Sequence, residues 1–248
     1  MTHRSSPEPG ESHALAGALL ALGSALLFTG TLFYIGLTPR LGLPAPAPER
    51  MAALSDALAS APRMARAGGF AFFGDILLTA AGIALVRRRR LAGSDLEAFG
   101  WTLIAVAAAI AIVFDSMMAV LLAPLAELPA AGTFLAVKGW FDFLFAAGDV
   151  PFGLGAIAVL WADTRSEAPL LPKPLAVFGI GVGTVALASG LGYVTGTLIL
   201  PPALGLTVTL GCVVFAVFGV QIIRYEGARS QAGIAAGLAP AVATGGRS

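Results

Sequence analysis

Charge is what this chain has least of. Of its 248 residues only 12% are charged, 15 basic and 14 acidic, whereas an ordinary soluble domain carries about 25%. That number cannot coat a water-soluble globule of this length, which excludes a soluble enzyme and a disordered chain. A net charge of +1 supplies no bulk attraction for DNA or RNA, so no nucleic-acid partner is expected. Cysteine occurs once, at Cys212, which rules out a disulfide framework within the chain. Asparagine is absent, and with it every N-glycosylation acceptor. The two histidines, His3 and His13, precede the first long apolar stretch, so no paired-histidine haem or quinone site can lie beyond it. No P-loop, GxSxG motif or His/Glu metal motif is present. No cofactor or metal is expected, and the chain reads as non-enzymatic.

What is abundant is hydrocarbon: 57% of residues are hydrophobic and the mean hydropathy is +0.87. A bilayer core of about 30 Å takes about 20 mostly apolar residues per helix. Six stretches qualify, at 14–36, 67–86, 99–122, 140–161, 175–194 and 203–223. The expected fold is therefore all-α, a polytopic bundle of six transmembrane helices in one domain spanning 1–226, with a disordered tail over 227–248. Tyr and Trp favour the membrane interface, and Tyr34, Trp101, Trp140, Trp161, Tyr193 and Tyr225 all fall at or beside a proposed end.

Lys and Arg in the short loops orient the chain. With the N-terminus inside, the inner side holds ten basic residues, including the run Arg87–Arg90, and the outer side five. Both termini are expected in the cytoplasm. Thirteen arginines against two lysines, with abundant Ala and Gly, point to a GC-rich bacterial genome and hence to the bacterial inner (cytoplasmic) membrane. The first apolar stretch is too long for a signal peptide's h-region and is expected to remain as a span.

The longest loop, 38–66, opens with Pro44, Pro46 and Pro48; residues 49–60 then read as a short helix with Met51, Leu54 and Leu58 on one face. Small residues let membrane helices approach closely. The fifth span is rich in them, with Gly179 and Gly183 forming a GxxxG and Gly190 beyond, while Gly17, Ala21 and Ala25 repeat in the first span. These positions are expected to pack helices within the bundle; pairing of two copies through the fifth span is the alternative, alongside a membrane-protein partner and the lipid bilayer itself.

Charges inside spans are costly and mark function by default. Asp75, Asp115 and Asp149 qualify. Counted at about 1.5 Å per residue from the outer ends of their spans, they lie about 12, 10 and 14 Å deep. Three acids on three helices thus share one slab of the outer half, a candidate proton or cation site. Asp142 is explained by Lys138 four residues earlier, a surface ion pair. Asp149 sits in Gly148-Asp149-Val150-Pro151-Phe152-Gly153, where Pro151 removes a backbone donor and is expected to kink or break the helix. Asp149 would then cap the following half-helix.

The segment Leu54–Arg63 in the first outer loop, the Asp-containing second span with a basic inner loop, and Leu191-Gly192-Tyr193 closing the fifth span give the chain a likeness. It resembles a group of small bacterial six-span membrane proteins of unknown function. The resemblance covers most of the chain in topology, and it implies the architecture and a bacterial membrane. It brings no catalytic residues with it, and the Gly148–Gly153 segment lies outside the likeness.

The sequence thus predicts a non-enzymatic six-span membrane protein. A proton- or cation-coupled small-solute carrier using the three aspartates is the second reading, and a membrane partner or sensor subunit the third.

Overall fold

In lipid every backbone N–H and C=O must find its partner within the chain, and an apolar segment meets that demand as a helix. In the computed structural model, which describes residues 11–35, 47–91, 94–126, 131–197 and 201–238, helices are the only regular structure among the described residues. They are α1 (Glu11–Ile35), α2 (Ala47–Leu91), α3 (Asp95–Met117), the short α4 (Ala123–Ala126), α5 (Ala131–Thr164), α6 (Lys173–Val194) and α7 (Pro201–Leu238). A π-helical turn, Met118–Leu122, joins α3 to α4. Six of the helices, all but α4, are long and apolar enough to cross a membrane. The chain is a multi-pass, all-α membrane protein.

Each long helix packs against its neighbours in the sequence, and α7 closes back onto α1. The result is a ring of antiparallel helices. His13 at the start of α1 stands 3.8 Å from Glu226 in α7, so the chain enters and leaves the ring at one end. That end also carries Arg87 and Arg88; the opposite end carries Tyr34, Met64 and Lys138.

Glycines set the spacing. A Cβ at Gly153 of α5 would stand 2.5 Å from the Gly183 carbonyl oxygen of α6, and one at Gly17 of α1 would stand 2.7 Å from that of Gly219 in α7. Only hydrogen at these positions lets the backbones meet. Gly190 faces the Ala146 carbonyl oxygen of α5, and Gly179 faces Leu160 and Val214. The small-residue face of α6 is therefore used within the chain.

Several expectations are corrected. The helix expected over 49–60 is not a separate element: α2 runs unbroken from Ala47 through Pro62 into the second span. α7 likewise continues through Gly227 to Leu238, where a disordered tail is expected. The proline-rich stretch before Ala47 and the chain beyond Leu238 lie outside the described residues. Trp101 is at a span end, yet it is fully buried rather than turned to the interface. Its ring packs 5.8 Å from Phe215 and 5.7 Å from Phe218, and its indole N–H donates to Glu97 Oε1 at 3.3 Å. A partner for the N–H inside the bundle removes the reason for that ring to seek the headgroups.

The ring is filled unevenly. At the arginine end Leu85, Trp101, Val159, Leu160, Phe215 and Phe218 belong to one apolar core, and Met64, Phe114, Met118, Leu122, Phe134 and Phe141 form a second at the other end. Towards the Tyr34 end the middle of the ring opens into a cavity.

Candidate functional site

The cavity has a volume of about 90 Å³ and is walled by α1, α2, α3, α5 and α7. It runs from Leu20 and Ser24 to Tyr34 along α1, a rise of about 15 Å over the ten residues from Ser24. Most of its wall is hydrocarbon, with Phe114, Phe141, Phe145, Phe152 and Phe215 prominent. Into this apolar space project all three intramembrane aspartates: Asp75 from α2, Asp115 from α3 and Asp149 from α5, respectively 1%, 2% and 4% exposed. The spacing along three separate helices puts them at one depth; the order of helices in the ring turns them towards one space.

The carboxyls of Asp75 and Asp115 hydrogen-bond to each other. Two buried carboxyls side by side cannot both carry a charge at low cost, so the pair favours holding a proton. Asp75 Oδ2 and Asp115 Oδ2 are buried with no hydrogen-bond partner, and Ser24 Oγ is in the same condition. Buried polar atoms are nearly always satisfied, so this is a concentrated exception. The Cys212 thiol of α7 lies near Asp75 on the same wall. Asp149 Oδ2 is approached by the Thr207 hydroxyl of α7 at 3.5 Å, a long contact.

Close helix packing fixes the acids in place. A Cβ at Gly68 of α2 would stand 2.7 Å from the Asp115 carbonyl oxygen, and one at Gly190 of α6 would stand 3.2 Å from Asp149 Cβ. Asp115 lies three residues before the start of the π-helical turn Met118–Leu122, a distortion often found at functional positions.

The expected helix break at Gly148 and Pro151 is absent: α5 is one helix from Ala131 to Thr164 with Pro151 inside it. Loss of one hydrogen bond is compatible with a continuous helix when packed neighbours hold both sides, as α6 does here. Asp149 therefore caps no half-helix; it projects from an unbroken one into the cavity. Gly148 is not a packing glycine either, because a Cβ there would meet Ile110 Cγ2 at an ordinary 3.6 Å.

Lys138 and Asp142 do form an ion pair, but not at the surface. Lys138 is only 7% exposed, because α5 starts at Ala131, well before the Trp140 boundary read from the sequence. Its ammonium also hydrogen-bonds with Tyr34 and lies 5.2 Å from the centre of the Phe141 ring. Tyr34 and Phe141 both line the cavity, so this basic residue sits at its Tyr34 end. Sequence reading missed that role; the i, i+4 spacing revealed the pair but not its burial.

A second, more polar cavity of about 180 Å³ occupies the arginine end, lined by His13, Glu97, Asp163, Tyr225 and Glu226. Its acids are engaged differently. Asp163 accepts the backbone N–H groups of Leu170 and Leu171 at 2.9 and 3.1 Å, tying down the turn between α5 and α6.

The chain matches no protein-family model, no curated protein and no solved structure.

Proposed function

We propose that this protein is a proton- or cation-coupled carrier of small solutes, working in a bacterial inner membrane with both termini in the cytoplasm. The orientation rests on the arginine bias of the short loops. One observation carries the functional reading: three buried aspartates from three helices face a single cavity. Carboxyls enclosed by a membrane bundle are costly and, where backbone or side-chain donors do not saturate them, mark proton or cation pathways by default. The site lies at membrane depth between helices, where carriers place their substrate and coupling-ion sites.

The test is purified full-length protein in liposomes with an imposed pH gradient and an internal pH dye. Small solutes (Na⁺, K⁺, alkylammonium ions, short carboxylates) are added one by one. Wild type is expected to dissipate the gradient with at least one of them, and Asp149→Asn to lose that flux. Equal, negligible flux from both proteins across the panel would remove the carrier reading.

A further inference from the structure

We infer that the cavity takes a small organic ammonium ion, its N–H groups on the Asp75–Asp115 carboxyl pair and its hydrocarbon on the phenylalanine wall, in exchange for a proton. The inference deepens the carrier reading and rests on it.

Three independent features select this chemistry. The first is charge. The cavity is lined by three carboxyls and by no Lys, Arg or His. The nearest base, Lys138, is engaged by Asp142 and Tyr34. Positive charge is therefore what the site lacks. The second is hydrogen bonding. Asp75, Asp115 and Ser24 line the cavity, the Ser24 hydroxyl is buried without a partner, and an ammonium group brings up to three donors. The third is the wall. Phe114, Phe141 and Phe145 stand ring against ring, 5.2 to 6.2 Å apart, and offer π-faces and hydrocarbon to an amphipathic cation.

The same features disfavour a bare metal ion. Among the described residues no group of three His, Cys, Asp or Glu side chains is placed to hold one. A hard divalent cation asks for six or more oxygen ligands, which a phenylalanine wall does not supply. An organic ion carries its own apolar body and needs only one charged contact.

The exchange balances without covalent change. The ammonium ion enters carrying one positive charge, the proton held between Asp75 and Asp115 leaves to water, and the charge of the site is unaltered. The titratable groups around the pair are Asp149 from α5, Cys212 from α7 and Tyr34 from α1, with Lys138 and Asp142 of α5 beyond Tyr34.

The experiment is isothermal titration calorimetry of n-butylammonium chloride into the full-length protein in detergent, in two buffers of different ionisation enthalpy. Sodium chloride serves as the comparison titrant. Wild type is expected to bind n-butylammonium and to release one proton per ion, with sodium failing to compete. Asp75→Asn retains a side-chain donor for Asp115 and should lose affinity at least tenfold. Phe145→Leu, which keeps the volume but not the π-face, should lose about threefold. Unchanged melting temperatures would establish that both variants are folded. Failure of folded wild type to bind n-butylammonium overturns the inference, as does binding that both variants leave unchanged or binding without proton release. If such a protein still collapses a pH gradient in an Asp149-dependent way, the carrier reading stands and only the ammonium ion is wrong. If that flux is absent too, both fall.

Discussion

The two ends of this bundle use buried acids in opposite ways. At the arginine end both oxygens of Asp163 accept backbone N–H groups of the turn before α6, and Glu97 accepts the Trp101 indole N–H. Towards the Tyr34 end Asp75 and Asp115 lie beside each other on the wall of the cavity, and Oδ2 of each finds no partner outside the pair. Burial is equally deep in both places, so burial alone does not separate structural from functional carboxyls. Saturation does. An acid whose acceptors are engaged by the backbone holds the fold; one that lines a cavity with only another acid beside it is available to a ligand.

Substitutions can break this comparison, beginning with the largest effect on stability. Asp163→Ala strands two backbone N–H groups, each costing about 1–3 kcal/mol. Unfolding in detergent should show a loss of about 2–5 kcal/mol, with transport per folded molecule unchanged. A loss below 1 kcal/mol would mean that the turn does not depend on Asp163. Gly153→Ala drives a methyl into the α6 backbone, 2.5 Å from the Gly183 oxygen, and should cost about 1–3 kcal/mol as overpacking does. A neutral result would show that α5 and α6 can separate freely.

Asp75→Asn is the counterpart of Asp163→Ala. Polar contacts between membrane helices average about 0.6 kcal/mol, and the amide still donates to Asp115, so stability should shift by less than about 1 kcal/mol. Flux in the liposome assay should nevertheless fall at least tenfold. If Asp75→Asn instead unfolds the protein and spares flux per folded molecule, the two ends do not differ in the way described. The smallest effect is expected at Gly181, where a Cβ would meet nothing within 4 Å. Gly181→Ala should leave the melting curve within about 0.5 kcal/mol of wild type, as substitutions away from packed features do, isolating the packed face of α6 at Gly179, Gly183 and Gly190.

Much of this was legible in one dimension. Helices need only their own backbone bonds in lipid, so a run of apolar residues of sufficient length locates a span, and all six were found. Depth was legible for the same reason: a helix rises uniformly, and counting put Asp75, Asp115 and Asp149 in one slab. The errors share a cause. Pro151 was expected to kink or break α5; the break is absent, and a continuous helix is retained because its neighbours pack on either side of the lost bond. Trp101 was placed at the interface by position, but its ring turns inward because Glu97, one turn away, meets its N–H. Lys138 was assigned to the surface because Trp140 was taken as the helix boundary, yet α5 starts at Ala131 and carries the lysine into the bundle.

What the sequence by itself determined is the membrane, the six helices and the level of the acids, because hydropathy and helical rise are local properties. Direction around each helix axis is not local: it depends on which neighbours pack against which face, and glycine contacts such as Gly17 on Gly219 or Gly153 on Gly183 are made between residues far apart in the chain. Tertiary structure alone decided that the three aspartates face one cavity, that Asp163 and Glu97 are engaged, and that Lys138 stands beside Tyr34.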